Sequence, residues 1–520
     1  MQKLMLTWLP WLLTLLVLQV DSVTQPNIVM MVADDLGWAD VPWHDALTIA
    51  PTLSSLADTG IILDRHYVQP ICSPTRSALM TGKYPSRLGL NHDTINAGEP
   101  YGLMVNETII SNYMSELGYS THAVGKWHLG YCSWDLTPAK RGFDSFYGYY
   151  NGHETYYTKV THKFFDFRLD TQADDGSVNS EVVWKANGTY STELYADRAA
   201  QVIEKHDQSK PLFMYLPFQS VHNPNEVPDS YYQMYEGIVE NEKRRTLLAM
   251  VTAMDDAAEV VVTALKQSGM WENTVFIFFS DNGGPLEGIG NGQVNYPLRG
   301  GKYSYWEGGI RSSSFIHSPM LPGGVINQEL LHVTDWLPTL GHLAACGVEP
   351  NDQCTGPDMG DIDGVNQWNA IVGAGKSNRT EFLVNIDPKA KNSALRWGPW
   401  KLYHGNPGKG DWVPPPSVNE HRYNQQFTHG LRDRNKFETD QEYVFSEGIY
   451  NPDTIMLFDV EADPAETNEV SNDNPDVVNT MLERLVYYES RTIPPRNCVR
   501  DPASDPAQFG GVWTPWLKTC

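Results

Sequence analysis

Four oxygen-bearing side chains stand where short apolar runs of this sequence end, and together they would suit a hard cation. Asp34 and Asp35 follow the run 27–32, and Asp281 and Asn282 follow the run 274–279. Three carboxylates and an amide carbonyl form an oxygen set fitted to Ca²⁺ or Mg²⁺. No C-x-x-C pair and no H-E-x-x-H pattern argues for zinc. Basic residues recur in the same places. Lys126 and His128 follow the run 120–124 and, two apart in extended backbone, point to one side. His222 lies beyond the run 211–216, and Lys302 sits on the glycine-rich Arg299-Gly300-Gly301-Lys302. A lone loop histidine is more often structural than catalytic, so the weight comes from the recurrence.

Cys72-Ser73-Pro74-Thr75-Arg76 reads as a helix start, with Ser73 as N-cap and Pro74 at the first helical position. The helix is expected from about Pro74 to Thr81, ending near Gly82. Cys72 would then lie at a helix N-terminus, where backbone N–H groups favour an anion. The helix dipole supplies only ~0.3–1 kcal/mol, so cations must do most of the stabilising. Arg76, one turn in, is expected to reach the metal-site carboxylates.

The elements that must position these residues are four apolar runs, each ending in polar residues, alternating with helix-like stretches at 108–117, 192–205 and 246–267. That alternation predicts an α/β fold with a large mixed, mainly parallel sheet flanked by helices. Ligands bind beyond the carboxyl ends of such strands, which is where the acids, the lysine and the histidines fall. Further along, short runs at 382–386, 395–397, 401–404 and 455–460 and a helix-like stretch at 476–488 predict a smaller C-terminal domain of antiparallel strands packed by a helix. The expected division is a signal peptide at 1–22, a catalytic domain at 23–373 and the smaller domain at 374–520. The span 405–451 shows little periodicity and reads as long loops.

Residues 4–20 are apolar but broken by Pro10, which favours a cleaved signal peptide over a membrane anchor. Asn106, Asn187 and Asn378 head N-x-Thr sequons. Both features point to the secretory pathway, lysosomal or secreted, and to no stable membrane insertion of the mature chain. A net charge of −25 argues against a nucleic-acid partner. Of the six cysteines, Cys346 with Cys354 and Cys498 with Cys520 are the expected pairs, leaving Cys132 unassigned. The aromatic residues Trp127, Tyr147 to Tyr150, Tyr156 and Tyr157 suit either sugar stacking or interior packing.

Taken together, the motifs resemble the type I sulfatases of the alkaline phosphatase superfamily. Cys72 to Arg76 fits their C-x-P-x-R pattern. Asp34-Asp35-Leu36-Gly37-Trp38, Gly125-Lys126-Trp127-His128-Leu129-Gly130 and Ser280-Asp281-Asn282-Gly283-Gly284 match as well. Tyr296 to Gly309 and Gly511 to Trp516 are most similar to arylsulfatase B and its relatives. The resemblance implies a sulfuric ester hydrolase in which a formylglycine-generating enzyme converts Cys72 to an aldehyde during synthesis. The hydrated aldehyde, a geminal diol, attacks sulfur with one oxygen and expels sulfate with the other. It further implies one Ca²⁺ held by Asp34, Asp35, Asp281, Asn282 and modified Cys72. Arg76, Lys126, His128, His222 and Lys302 become catalytic or sulfate-binding residues. The expected substrate is a sulfated sugar or a small sulfate ester, such as N-acetylgalactosamine 4-sulfate ends or aryl sulfates. The order Ser73 then Thr75 reverses the subgroup's hydroxyls, and the sparse cysteines do not reproduce its disulfides.

Two other classes make different demands. A phosphatase or phosphodiesterase of the same superfamily would use Ser or Thr with two zinc ions. A non-catalytic binder of sulfated glycans would have lost at least one reactive residue, and this chain has lost none.

Overall fold

A computed structural model describes residues 25–173, 175–286, 292–350, 353–413 and 454–520. The expected signal peptide and most of the span 405–451 lie outside these residues. Among the described residues the main sheet has ten strands. Its centre is built from the four runs read in the sequence: β1 (Asn27–Ala33), β2 (Ser120–Lys126), β3 (Leu212–Pro217) and β4 (Thr274–Ser280). They lie in the order β4-β1-β3-β2 and are all parallel. Strand Phe315–His317 runs antiparallel beside β4, and Ser145–Tyr149 continues parallel beside β2.

Why these runs sit at the centre follows from their burial. Every residue of β1 and β4 is buried, as expected for parallel strands covered on both faces. Alternate residues serve opposite layers: Val29 and Met31 join one core with helices Ser191–Glu204 and Glu242–Gln267. Ile28, Met30 and Val32 join a second core with helices Cys72–Thr81, Ile110–Glu116 and Trp336–Cys346. The apolar side chains of a strand with period two thus bind a helical layer to each face.

The smaller sheet contains Glu381–Asp387, Asn392–Trp397, Trp400–His404 and Ile455–Asp459, every neighbouring pair antiparallel. Helix Pro475–Glu489 packs Met481, Leu485 and Tyr488 against it. A buried ion network ties the smaller sheet to the short helix Glu307–Ile310: Lys401 reaches Glu307 at 2.9 Å and Glu466 at 3.2 Å. No helix among the described residues is long and apolar enough to cross a membrane.

The disulfides correct one expectation. Cys346 pairs with Cys354, but Cys520 pairs with Cys132, and Cys498 is free and exposed. The chain end runs back over the loop after β2, where Trp516 and Leu517 donate backbone bonds to the Cys132 carbonyl at 3.1 and 2.8 Å. That return carries Cys520 to Cys132 and away from Cys498. Because this bond closes a separation of 388 residues, replacing both cysteines by serine should destabilise the fold by about 2–5 kcal/mol. A thermal melt would show it, and an unchanged Tm would contradict it.

Candidate active site

Helix α1 (Cys72–Thr81) delivers Cys72 to the strand ends. It begins at Cys72 itself, with Ile71 as the N-cap residue in extended conformation, and closes on Gly82 at φ +65°. This corrects the expected start at Pro74 with a Ser73 cap. Ser73 Oγ instead donates to the His128 carbonyl at 2.9 Å and accepts from Ile95 N at 3.1 Å. Thr75 Oγ1 donates to the Asp281 carbonyl at 2.6 Å. Both hydroxyls tie α1 to the ends of β2 and β4.

Asp34 and Asp35 leave β1, and Asp281 and Asn282 leave β4. One ligand atom from each of Asp34, Asp35, Cys72 and Asp281 lies within 4.8 Å of all the others, and all four residues are buried. Asn282 Nδ2 donates to Asp35 Oδ1 at 2.8 Å. Its Oδ1 is buried without a partner among the described residues. A clustered set of hard donors with an orphaned amide oxygen fits a Ca²⁺ ion, whose oxygen shell would satisfy that atom. Asp35 takes φ +60°, a left-handed conformation uncommon for a residue with a side chain and characteristic of functional sites. Gly283 admits nothing larger, since a Cβ there would lie 1.8 Å from the Gly308 carbonyl oxygen.

Cations ring this cluster. Arg76 binds Asp281 Oδ2 through Nη2 at 2.8 Å and Nε at 3.1 Å, and comes within 3.9 Å of Asp34. Lys126 Nζ reaches Asp34 at 2.5 Å, and Lys302 Nζ reaches both Asp35 oxygens at 2.7 and 2.9 Å. Burial pushes the Asp35 carboxyl up, but Lys302, His222 and Lys126 together outweigh it and hold it below the usual range. Burial also raises the Cys72 thiol, more than Lys126 and Lys302 lower it. An unmodified Cys72 is therefore a protonated thiol, a poor nucleophile at neutral pH.

The two histidines differ in tautomer. His222 Nδ1 lies 2.7 Å from the Asn223 carbonyl, which can only accept, so Nε2 faces Asp35 at 3.7 Å. Burial lowers the His222 pKa to about 3. His128, at φ +56°, donates Nε2–H to the Ile95 carbonyl at 3.1 Å. Its buried Nδ1, which carries the lone pair, has no hydrogen-bond partner among the described residues. All ten site residues named from the sequence thus converge at one edge of the sheet.

The sulfatase family model matches residues 26–346 of this chain. The chain belongs to the sulfatase family. It is 38% identical over 518 residues to arylsulfatase J of Mus musculus, covering 95% of this chain and 81% of that protein. Identity to the N-acetylgalactosamine-6-sulfatase of Canis lupus familiaris is 28% over 376 residues, covering 70% of this chain and 69% of that one. Among solved structures, Ps i-CgsB in complex with k-i-k-neocarrahexaose superposes with a TM-score of 0.72 at 27% identity, covering 92% and 96% of the two chains. The protein is a sulfatase-family hydrolase whose Asp34, Asp35, Cys72 and Asp281 cluster is consistent with a formylglycine and Ca²⁺ site.

Within this sulfatase, most of the aromatic residues that suit either sugar stacking or interior packing are interior packing. Trp127, Tyr149, Tyr150 and Tyr156 are fully buried, while Tyr147 and Tyr157 pack partly buried against the core. The sequence reading missed His153, whose ring stacks on His222 at 5.6 Å between centroids. It also missed Glu154, which accepts from Ser191 Oγ at 2.7 Å and Tyr195 Oη at 3.0 Å beneath the same loop. No spacing marks either residue; only the adjacent His-Glu after a tyrosine run is unusual.

Burial raises the Glu154 carboxyl from 4.5 to about 8, more than the nearby Lys159 lowers it. The unfolded chain loses this proton near its ordinary value and the folded chain keeps it to higher pH. Stability should therefore fall as pH rises from about 4.5 to about 8, by a few kcal/mol at ~1.4 kcal/mol per unit. Glu154→Gln should flatten that slope in melts across this window; an unchanged slope would contradict the assignment.

Proposed function

We propose that the protein hydrolyses sulfate esters of sugars or small aryl and glycoside alcohols through a formylglycine made from Cys72. The observation that carries this is the placement of Cys72 at the head of α1 inside a buried carboxylate cluster flanked by Lys126, Lys302 and Arg76. The name of one relative, N-acetylgalactosamine-6-sulfatase, supports a sulfated sugar, and a similar solved structure is in complex with k-i-k-neocarrahexaose. N-acetylgalactosamine sulfate at a glycosaminoglycan end is our preferred natural substrate.

Asp34, Asp35, Asp281, Asn282 and the modified residue 72 would hold the calcium ion. Bound there, it would polarise a sulfate oxygen and acidify the attacking hydroxyl. Lys126 and Lys302 neutralise the anionic ester where they already neutralise Asp34 and Asp35. Arg76 fixes Asp281 through two N–H bonds to one oxygen. His222 Nε2 hands a proton to the departing alkoxide, because an anionic ester entering beside Asp35 favours the imidazolium. His128 Nδ1, bearing a free lone pair, takes the second diol proton and so helps expel sulfate. We place the routing in the secretory pathway, with a signal peptide at 1–22 and a domain division near 373.

The test separates the two histidines by leaving group. His222→Ala should slow esters of poorly acidic alcohols by roughly 10²–10⁴-fold, the range of general acid catalysis, and nitrophenyl sulfate far less. His128→Ala should slow both alike and leave sulfate bound to the protein. The same leaving-group dependence in both variants, with no retained sulfate, would overturn these roles.

A further inference from the structure

We propose that the groove beside Asn378 seats an N-linked glycan carried by that residue. The groove has a volume of about 590 Å³ and is lined by Trp397, Trp400, Arg65, Glu329, Lys376 and Glu461 among others. That volume lies within the roughly 300–1,000 Å³ of pockets that hold small molecules.

The placement of the acceptor comes from the chain itself. Asn378-Arg379-Thr380 is an N-glycosylation sequon, and Asn378 and Thr380 are both exposed. Thr380 lines the groove, and its carbonyl accepts from Gly398 N–H at 2.9 Å. That bond ties the sequon to the two-residue turn between Trp397 and Trp400, which face each other across neighbouring strands. Both tryptophans are only partly buried and both line the groove. Asn378 stands between Ser377 and Arg379, which line the groove with the two tryptophans. The apolar C–H face of a pyranose ring packs well on an indole, so a glycan leaving Asn378 has two such faces in the adjoining groove.

Charge decides which carbohydrate fits. Arg65 is paired with Glu461 at 2.9 Å and Lys376 with Glu329 at 2.8 Å. These two pairs, together with the third lining cation Arg379, which is held by Asp335, leave little net attraction for a sulfated chain, while their polar atoms can still bind hydroxyl and acetamido groups. The groove therefore suits the neutral core of an N-glycan. Seated there, the sugars would bridge the hairpin of the smaller sheet to Arg65 and Glu329, which precede it in the chain.

In the transfer, Asn378 Nδ2 bonds to the anomeric carbon of a lipid-diphosphate-linked oligosaccharide as the bond from that carbon to the diphosphate oxygen breaks. The amide proton passes to a base of the transferase, and the lipid diphosphate leaves. This requires the secretory routing proposed above and is independent of the sulfatase chemistry.

The test uses full-length protein from a secretory host that attaches high-mannose glycans. Peptide N-glycosidase in heavy-oxygen water should convert Asn378 to labelled aspartate. On the folded protein, an endoglycosidase should release this glycan about tenfold more slowly from wild type than from Trp397→Ala/Trp400→Ala, equal to ~1.4 kcal/mol of seating. Trp397→Tyr/Trp400→Tyr should restore the protection. If the alanine pair fails to fold, hydrogen exchange at the 397–400 turn decides, and it should be faster in Asn378→Gln than in wild type. An unmodified Asn378, equal release rates, or turn exchange indifferent to Asn378→Gln would overturn the proposal.

Discussion

Cys72→Ala should abolish sulfate-ester turnover while leaving the fold intact. The side chain is buried and small, and among the described residues its one hydrogen bond is a weak 3.5 Å contact from Sγ to Asp34, so little is lost with it. Removing a nucleophile from a catalytic unit that acts in concert lowers kcat on the order of 10⁶-fold. Cys72→Ser is the more informative variant. Its single hydroxyl can accept sulfate but has no second oxygen with which to expel it, so a stable serine sulfate should accumulate after one turnover. Multiple turnovers by the serine variant would show that the second oxygen is dispensable, and the diol mechanism would fall.

Loss of metal should be nearly as severe. Asp281 is the carboxylate that Arg76 grips, and burial together with Asp34 already pushes its own carboxyl up. Asp281→Asn keeps the shape but removes one anionic donor and leaves the Arg76 guanidinium, itself fully buried, without its closest counter-ion. Breaking a buried pair in this way costs about 3–5 kcal/mol. The variant should bind calcium poorly, lose activity and melt lower. Chelation of the wild type should lower its Tm as well, because the ion binds the folded cluster alone. Adding calcium back separates the two effects: it should restore the chelated wild type and fail to restore the variant. Stoichiometric zinc with phosphatase activity in purified protein would point to the other branch of the superfamily.

Much of this site was legible because core strands announce themselves twice. β1 and β4 are apolar from Ile28 to Ala33 and from Val275 to Phe279, and acids follow at Asp34 and Asp281, so position and chemistry come from the same few residues. The helices bounded by glycine were equally readable, with Gly82 and Gly118 in left-handed conformation where helices end. What failed was whatever depends on distant parts of the chain meeting. Ser73 reads locally as a cap, but the β2 loop and Ile95 claim its hydroxyl. Cys520 reads locally as a partner for Cys498, but the returning tail takes it to Cys132. The edge strand Val325–Asn327 of the main sheet and the inner strand Phe315–His317, at three residues each, are too short to show a period. His153 and Glu154 belong to a loop whose role is set by what it covers.

The most direct test of the account is the mass of the tryptic peptide that contains residue 72, taken from enzyme of known specific activity. The account predicts an aldehyde at position 72, captured by a hydrazide reagent, in a fraction of molecules that scales with sulfatase activity. An unmodified thiol at Cys72 in fully active enzyme would contradict it.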